Sequence, residues 1–195
     1  MDIILKIYLL PANIFNFLLL KIKKVKKGKN VMIYGKIGIY GDGRITIGND
    51  VTINSIPRFN PIGGIKTLFQ TRHGGRIIIG NNVGISHCAI TAYEKVEIQD
   101  NVLLGSGVKI YDTDFHSLDY DFRIGNKQGN PIIKPVIIEE GAFIGTMCII
   151  LKGVRIGKHS IVGAGSVVTN NVPDGEIWAG NPAKRIGYIR DKVRL

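Results

Sequence analysis

The stretch Ile138-Glu139-Glu140-Gly141-Ala142-Phe143-Ile144-Gly145-Thr146-Met147-Cys148-Ile149-Ile150-Leu151-Lys152-Gly153-Val154-Arg155-Ile156, with its continuation to Val168, repeats with a period of six. Aliphatic residues recur at Ile138, Ile144, Ile150, Ile156, Val162 and Val168. Four places after each stands a small or β-branched residue: Ala142, Cys148, Val154, Ser160, Ser166 and Val172. An amphipathic helix would need a period of 3.6 and a half-buried strand a period of 2. A period of six keeps the alternation of a strand and adds a turn to every repeat. It predicts a parallel β-helix with three short strands per coil, one aliphatic side chain per hexad pointing inward, and small residues at the crowded corners. The same phase recurs upstream at Ile33, Ile39 and Ile45, at Ile47 and Ile53, at Ile79 and Ile85, and at Ile98, Leu104 and Ile110.

Composition agrees with this reading. Twenty-five glycines in 195 residues, with abundant Ile and Val, favour strands and tight turns over a helical bundle. The balance of 45% hydrophobic and 21% charged residues is that of a globular domain and excludes general disorder. Cys88 and Cys148 cannot form a disulfide framework, read as small core residues, and point to a cytoplasmic protein.

The hexads define a body over residues 31–190, interrupted at 54–76 and 111–135. Residues 1–30 stand apart and carry seven lysines against one aspartate, a large share of the net charge of +11. Ile3 to Leu20 is apolar but broken by Lys6, Pro11, Asn13 and Asn16, so it is a marginal membrane span. Its charges follow the apolar run, the reverse of a signal peptide. Two readings stay open: a pair of short helices capping the solenoid, or a peripheral anchor through residues 1–29 on the inner face of the cell membrane. Nucleic-acid binding is disfavoured, because aromatic residues are not interleaved with the lysines.

The run Ile156-Gly157-Lys158-His159-Ser160-Ile161-Val162-Gly163-Ala164-Gly165-Ser166-Val167-Val168-Thr169, followed by Ala179-Gly180-Asn181-Pro182-Ala183-Lys184, resembles the signature of the hexapeptide-repeat acyltransferases. The resemblance covers about residues 30–190 and is nearest to the sugar O-acetyltransferases of surface polysaccharide synthesis. It implies an all-β fold, a left-handed parallel β-helix with a short N-terminal helical segment and a short C-terminal tail. It also implies acetyl-CoA as acyl donor, no required metal, and a homotrimer with sites between subunits.

Within that resemblance His116, in the loop after Gly105-Ser106-Gly107-Val108-Lys109-Ile110, is the expected general base. An acceptor hydroxyl needs its proton taken, and a near-neutral imidazole can take it. Asp114, Asp112 or a backbone carbonyl is left open as the group orienting its other nitrogen. His87, Asp114 and Tyr93 are expected at the acceptor, with an outward-facing surface histidine the plain reading of His87. Thr146, Ala164 and Thr169 match positions along the pantetheine arm, and Lys184 and Arg185 match phosphate-binding positions; corner packing and a solvated face are their plain readings. Asn170 stands where the family often has a lysine. His73 and His159 read as plain surface.

The implied function is acetyl-CoA-dependent O-acetylation of a sugar in capsule, O-antigen or exopolysaccharide synthesis. The alternatives are N-acetylation of an amino sugar or a xenobiotic, and a non-catalytic scaffold. The sequence shows neither the nucleotide-binding domain of sialic-acid-type enzymes nor the helical domain of serine acetyltransferases. The metal-dependent carbonic anhydrases on this fold use two histidines separated by four residues, whereas Asp121 stands at the later place after His116.

Overall fold

The computed structural model describes residues 3–58, 60–62, 64, 66–125 and 131–192. The chain winds as a three-faced left-handed parallel β-helix whose faces hold six, eight and six strands. One coil reads Arg155–Ile156 on the first face, Ile161–Val162 on the second and Val167–Val168 on the third. Each hexad thus supplies one strand and one corner, and three hexads close a turn.

Parallel register converts the period into three interior columns. On the first face Ile47, Ile79, Ile98, Ile138 and Ile156 pair in sequence. On the second, Ile33, Ile53, Ile85, Leu104, Ile144 and Val162 do so. On the third, Ile39, Phe69, Ile90, Ile110, Ile150 and Val168 stack. Nearly all of these side chains are buried, as are Ala142, Cys148, Val154, Ser160, Ser166 and Val172 at the corners. Burying a column of large aliphatics at about 25 cal/mol per Å² of apolar surface is the main stabilising term.

The corners need backbone in the left-handed region, one residue per coil. Asn30, Asp50, Asn82, Asn101, Gly141 and His159 occupy it between the first and second faces, with φ from 53 to 69°. Asn, Asp, His and Gly tolerate that conformation best.

The interruption expected at 54–76 is shorter than the sequence suggested. Leu68–Thr71 is already a regular strand of the third face, and Phe69 is fully buried in its column. An aromatic residue in an aliphatic place hid the repeat. The second interruption closes on itself at its base: Thr113 bridges Ile133 antiparallel, and the Lys134 amide donates to the Asp112 carbonyl at 2.9 Å. One reading of residues 1–30 was a pair of short helices; instead a single helix, α1, runs unbroken over Ile3–Ile22. Pro11 forgoes one backbone hydrogen bond but is exposed, so its ring meets no coil. Leu9, Asn16 and Leu20 hold the inner face of α1 on the first coil. The buried Asn16 amide donates to the Gly35 carbonyl at 2.8 Å and accepts from the Ile37 amide at 3.2 Å. At the other end Glu176–Gly180 and Ala183–Tyr188 form an antiparallel hairpin through a cis Asn181-Pro182 bond.

Candidate active site

Three of the four histidines are explained by the coil. His73, His87 and His159 all have φ between 50 and 55° and serve as left-handed corner residues. His87, whose plain reading was an outward-facing surface residue, is instead buried at its corner, 2% exposed. His116 is different. It is exposed, and it follows Phe115, which takes the left-handed conformation in its place.

The loop carrying His116 is anchored by carboxylates. Asp112 is fully buried, and its side chain accepts from the amides of Tyr93, Glu94 and Lys95 at 2.7–2.8 Å. These donors lie one coil below, where the coil is a residue longer than the repeat. Asp112 therefore ties the base of the loop to the wall. Asp114 pairs with Lys152 from the coil above, Oδ1 to Nζ at 2.6 Å. Its Oδ2 is buried with no hydrogen-bond partner among the described residues. The Phe115 amide donates to Thr113 Oγ1 at 3.0 Å and the His116 amide to the Asp114 carbonyl at 2.7 Å. Asp112 is thus committed to backbone amides and one oxygen of Asp114 to Lys152. Lys152 and the capping role of Asp112 had no signal in the sequence, since both depend on which residues stack between coils.

Beside His116 runs a row of rings. Tyr93 lies 5.2 Å from His73 and 5.9 Å from Phe115, the latter edge-on, and Phe115 lies 5.4 Å from Tyr111. Burial raises the Tyr111 phenol above its usual range. Tyr93, an expected acceptor residue, is at the centre of this row. His73, expected to be plain surface, contributes its ring as well. The row continues into a cavity of about 480 Å³ lined by Tyr40, Asp42, Gln70, Arg72 and His73.

The expected donor-side residues lie elsewhere on the wall. His116 follows the strand Lys109–Tyr111, whereas Thr146 and Ala164 precede the strands Ile149–Ile150 and Val167–Val168 of the same face. Thr146 and Ala164 thus lie where the chain enters the third face, and His116 lies on the excursion that leaves it. Around Thr146 and Ala164 the coils pack closely: a Cβ at Gly145 would lie 2.5 Å from the Ala164 nitrogen. Thr169 is exposed and accepts from Asn170 at 3.0 Å. Lys184 is exposed, but Arg185 donates to Glu176 at 3.4 Å and to the Tyr188 hydroxyl, and lies 4.9 Å above the Tyr188 ring. Arg185 is therefore partly spent within the hairpin. Cys88 and Cys148 are buried inside the corners, and desolvation pushes the Cys88 thiol up to about 12 and raises that of Cys148. Neither has the low pKa of a reactive thiolate.

The family model for the hexapeptide repeat of succinyl-transferase matches residues 135–170. The galactoside O-acetyltransferase of Lactococcus lactis is 42% identical over 129 residues, covering 65% of this chain and 60% of that protein. The chain spans 60–64% of the length of curated relatives that match most of its body. Among solved structures, a variant of AntD, an N-acyltransferase from Bacillus cereus in complex with dTDP and coenzyme A, is similar with a TM-score of 0.71 and 28% identity. That match covers 91% of this chain and 90% of the other. A galactoside acetyltransferase in complex with coenzyme A gives a TM-score of 0.53 at 26% identity, covering 86% and 67%. Hexad columns, closed coils and these likenesses agree: the chain is a hexapeptide-repeat left-handed parallel β-helix, and over its body it is similar to acyltransferases of that fold.

Proposed function

We propose that the protein is an acetyl-CoA-dependent O-acetyltransferase acting on a sugar hydroxyl, with His116 as general base. The observation that carries this reading is the setting of His116: exposed, outside the left-handed corners, and on a loop tied to the wall beside a row of rings. The imidazole takes the acceptor proton as the hydroxyl oxygen attacks the thioester carbonyl. The tetrahedral oxyanion then collapses, the carbon–sulfur bond breaks, and the proton passes to the leaving thiolate. The Thr146 amide is the donor assigned to the oxyanion. Tyr93 and its neighbours offer apolar ring faces to a sugar, in the manner of ligand sites lined by aromatic side chains. His87 and Asp114 act behind them, His87 as part of the corner and Asp114 through Lys152.

The pantetheine arm lies along Thr146 and Ala164 and reaches Thr169, and the phosphates meet Lys184 first, with Arg185 second because of its partners in the hairpin. Thr146 and Ala164 lie where the chain enters the third face and His116 lies beyond where it leaves, and in this reading the complete site forms between copies in a homotrimer. A polysaccharide-synthesis role and a cytoplasmic location belong to the same reading.

A second reading is N-acylation of an amino sugar. It is favoured by the extent of the likeness to AntD, which includes nine-tenths of both chains. Thiol release from acetyl-CoA with paired hydroxyl and amino sugars, followed by mass analysis of the product, separates the two. The proposal expects an alkali-labile ester, and His116→Ala lowering turnover at least about 10²-fold with little change in coenzyme A affinity. Wild-type turnover in His116→Ala overturns the mechanism, and an amide product overturns the O-transfer reading alone.

A further inference from the structure

The end of the solenoid covered by α1 has an unusual charge distribution. From Ile3 to Gly41 the sequence holds eight lysines and no aspartate or glutamate. Five outward residues of α1, Leu10, Ile14, Phe17, Leu18 and Ile22, are each half or more exposed. This face is apolar at its centre and cationic at its rim. Lys36 stands 5.2 Å above the Phe15 ring and Arg58 6.0 Å above that of Tyr8. Lys21 in the last turn of α1 and Lys24, Lys26, Lys27 and Lys29 beyond its C-terminal end continue the rim and are all exposed.

We propose that α1 and its lysine rim form a docking surface for an anionic lipid leaflet, with α1 lying in the plane of the interface. Charge complementarity selects this occupant. The cores of protein–protein contacts are depleted in lysine, and a second copy on this face would set lysine rims of the same sign against each other. A leaflet supplies anionic head groups for the rim and acyl boundary for the apolar centre. Among the described residues no helix is long and apolar enough to cross a membrane, so the contact is peripheral. The inner face of α1 is already used on the first coil, through Leu9, Asn16 and Leu20, and docking leaves it in place. The solenoid would then stand on the surface by its first coil. The strand before His116 is three strands further along the third face, about 14 Å at the usual strand spacing.

Flotation of the full chain with phosphatidylcholine vesicles, with and without phosphatidylglycerol, tests this. The protein should float with the anionic vesicles, stay in the dense fraction with the neutral ones, and lose binding as salt rises. Replacing Phe17 and Leu18 by glutamate changes two exposed side chains and should abolish flotation with the thermal transition and the light-scattering mass unchanged. Lys24→Gln with Lys27→Gln should weaken partitioning by at least about tenfold. Three results overturn the proposal: no flotation with either vesicle, equal flotation with both regardless of salt, or a fall in assembly mass in the glutamate variant. The last identifies the face as a contact between copies.

Discussion

At the scale of the residue, the chemistry of this chain depends on what the corners do to side chains of the same type. Four histidines occur, and three are placed by backbone conformation before any question of function arises. The two cysteines illustrate the same control. Both face inward at corners where only a small side chain fits, and desolvation holds the Cys88 thiol neutral up to about 12 against an ordinary 9.0. In the unfolded chain that thiol ionises near its ordinary value. Cys88 therefore costs nothing below pH 9, and from there to about pH 12 it should lower stability by about 1.4 kcal/mol per pH unit, because the unfolded state releases its proton first. Denaturant midpoints measured on both sides of pH 9 should fall at alkaline pH, and less steeply in Cys88→Ala. An identical slope in that variant would show that other groups dominate.

At the scale of the element, the loop at 112–135 interrupts the solenoid without loosening it. Its two ends pair with each other, and Asp112 fastens its base to three amides of the neighbouring coil. A hydrogen bond to a charged acceptor is worth about 1.5–3 kcal/mol, and donors left unsatisfied at a buried site cost comparably. Asp112→Ala should thus lower unfolding stability by about 3 kcal/mol in a denaturant titration, with near-native circular dichroism. It should also make the loop the first site of limited proteolysis. A loss below about 0.5 kcal/mol, the usual range for a surface substitution, would mean that the amides find water instead. The α1 element follows a different rule. Its amphipathy is weak in sequence, because both faces are apolar, and its inner face is marked by a buried amide.

At the scale of the whole molecule, the proposed site makes assembly part of the chemistry. An acceptor base and a thioester must approach to about 3 Å for reaction. In the proposed homotrimer one copy's loop meets another copy's corner and supplies that approach. Multi-angle light scattering at micromolar concentration should give three times the monomer mass. Mixing His116→Ala with an inactive variant of the Gly145 corner should restore part of the activity, since some mixed clefts would carry both intact halves. A stable monomer, or no complementation between folded variants that exchange subunits, would remove the shared site.

The sequence by itself determined the solenoid. A hexad is a local unit, one strand and one corner, and its inward position must be filled in every repeat whatever the neighbouring coils contain. Ile138 to Val168 therefore announces the columns without knowledge of any contact. The resemblance also singled out His116 for its place after Ile110. Tertiary structure decided the rest, because it depends on which residues stack from coil to coil. The unequal lengths of the excursions near 54–66 and 112–135 conceal that stacking from any fixed spacing. Asp112 meets Tyr93, Glu94 and Lys95, and Asp114 meets Lys152, only through the winding. His73, Tyr93 and Phe115 become one row for the same reason. The burial of His87 and the two faces of α1 follow from backbone angles and docking, and neither is written in a residue's identity.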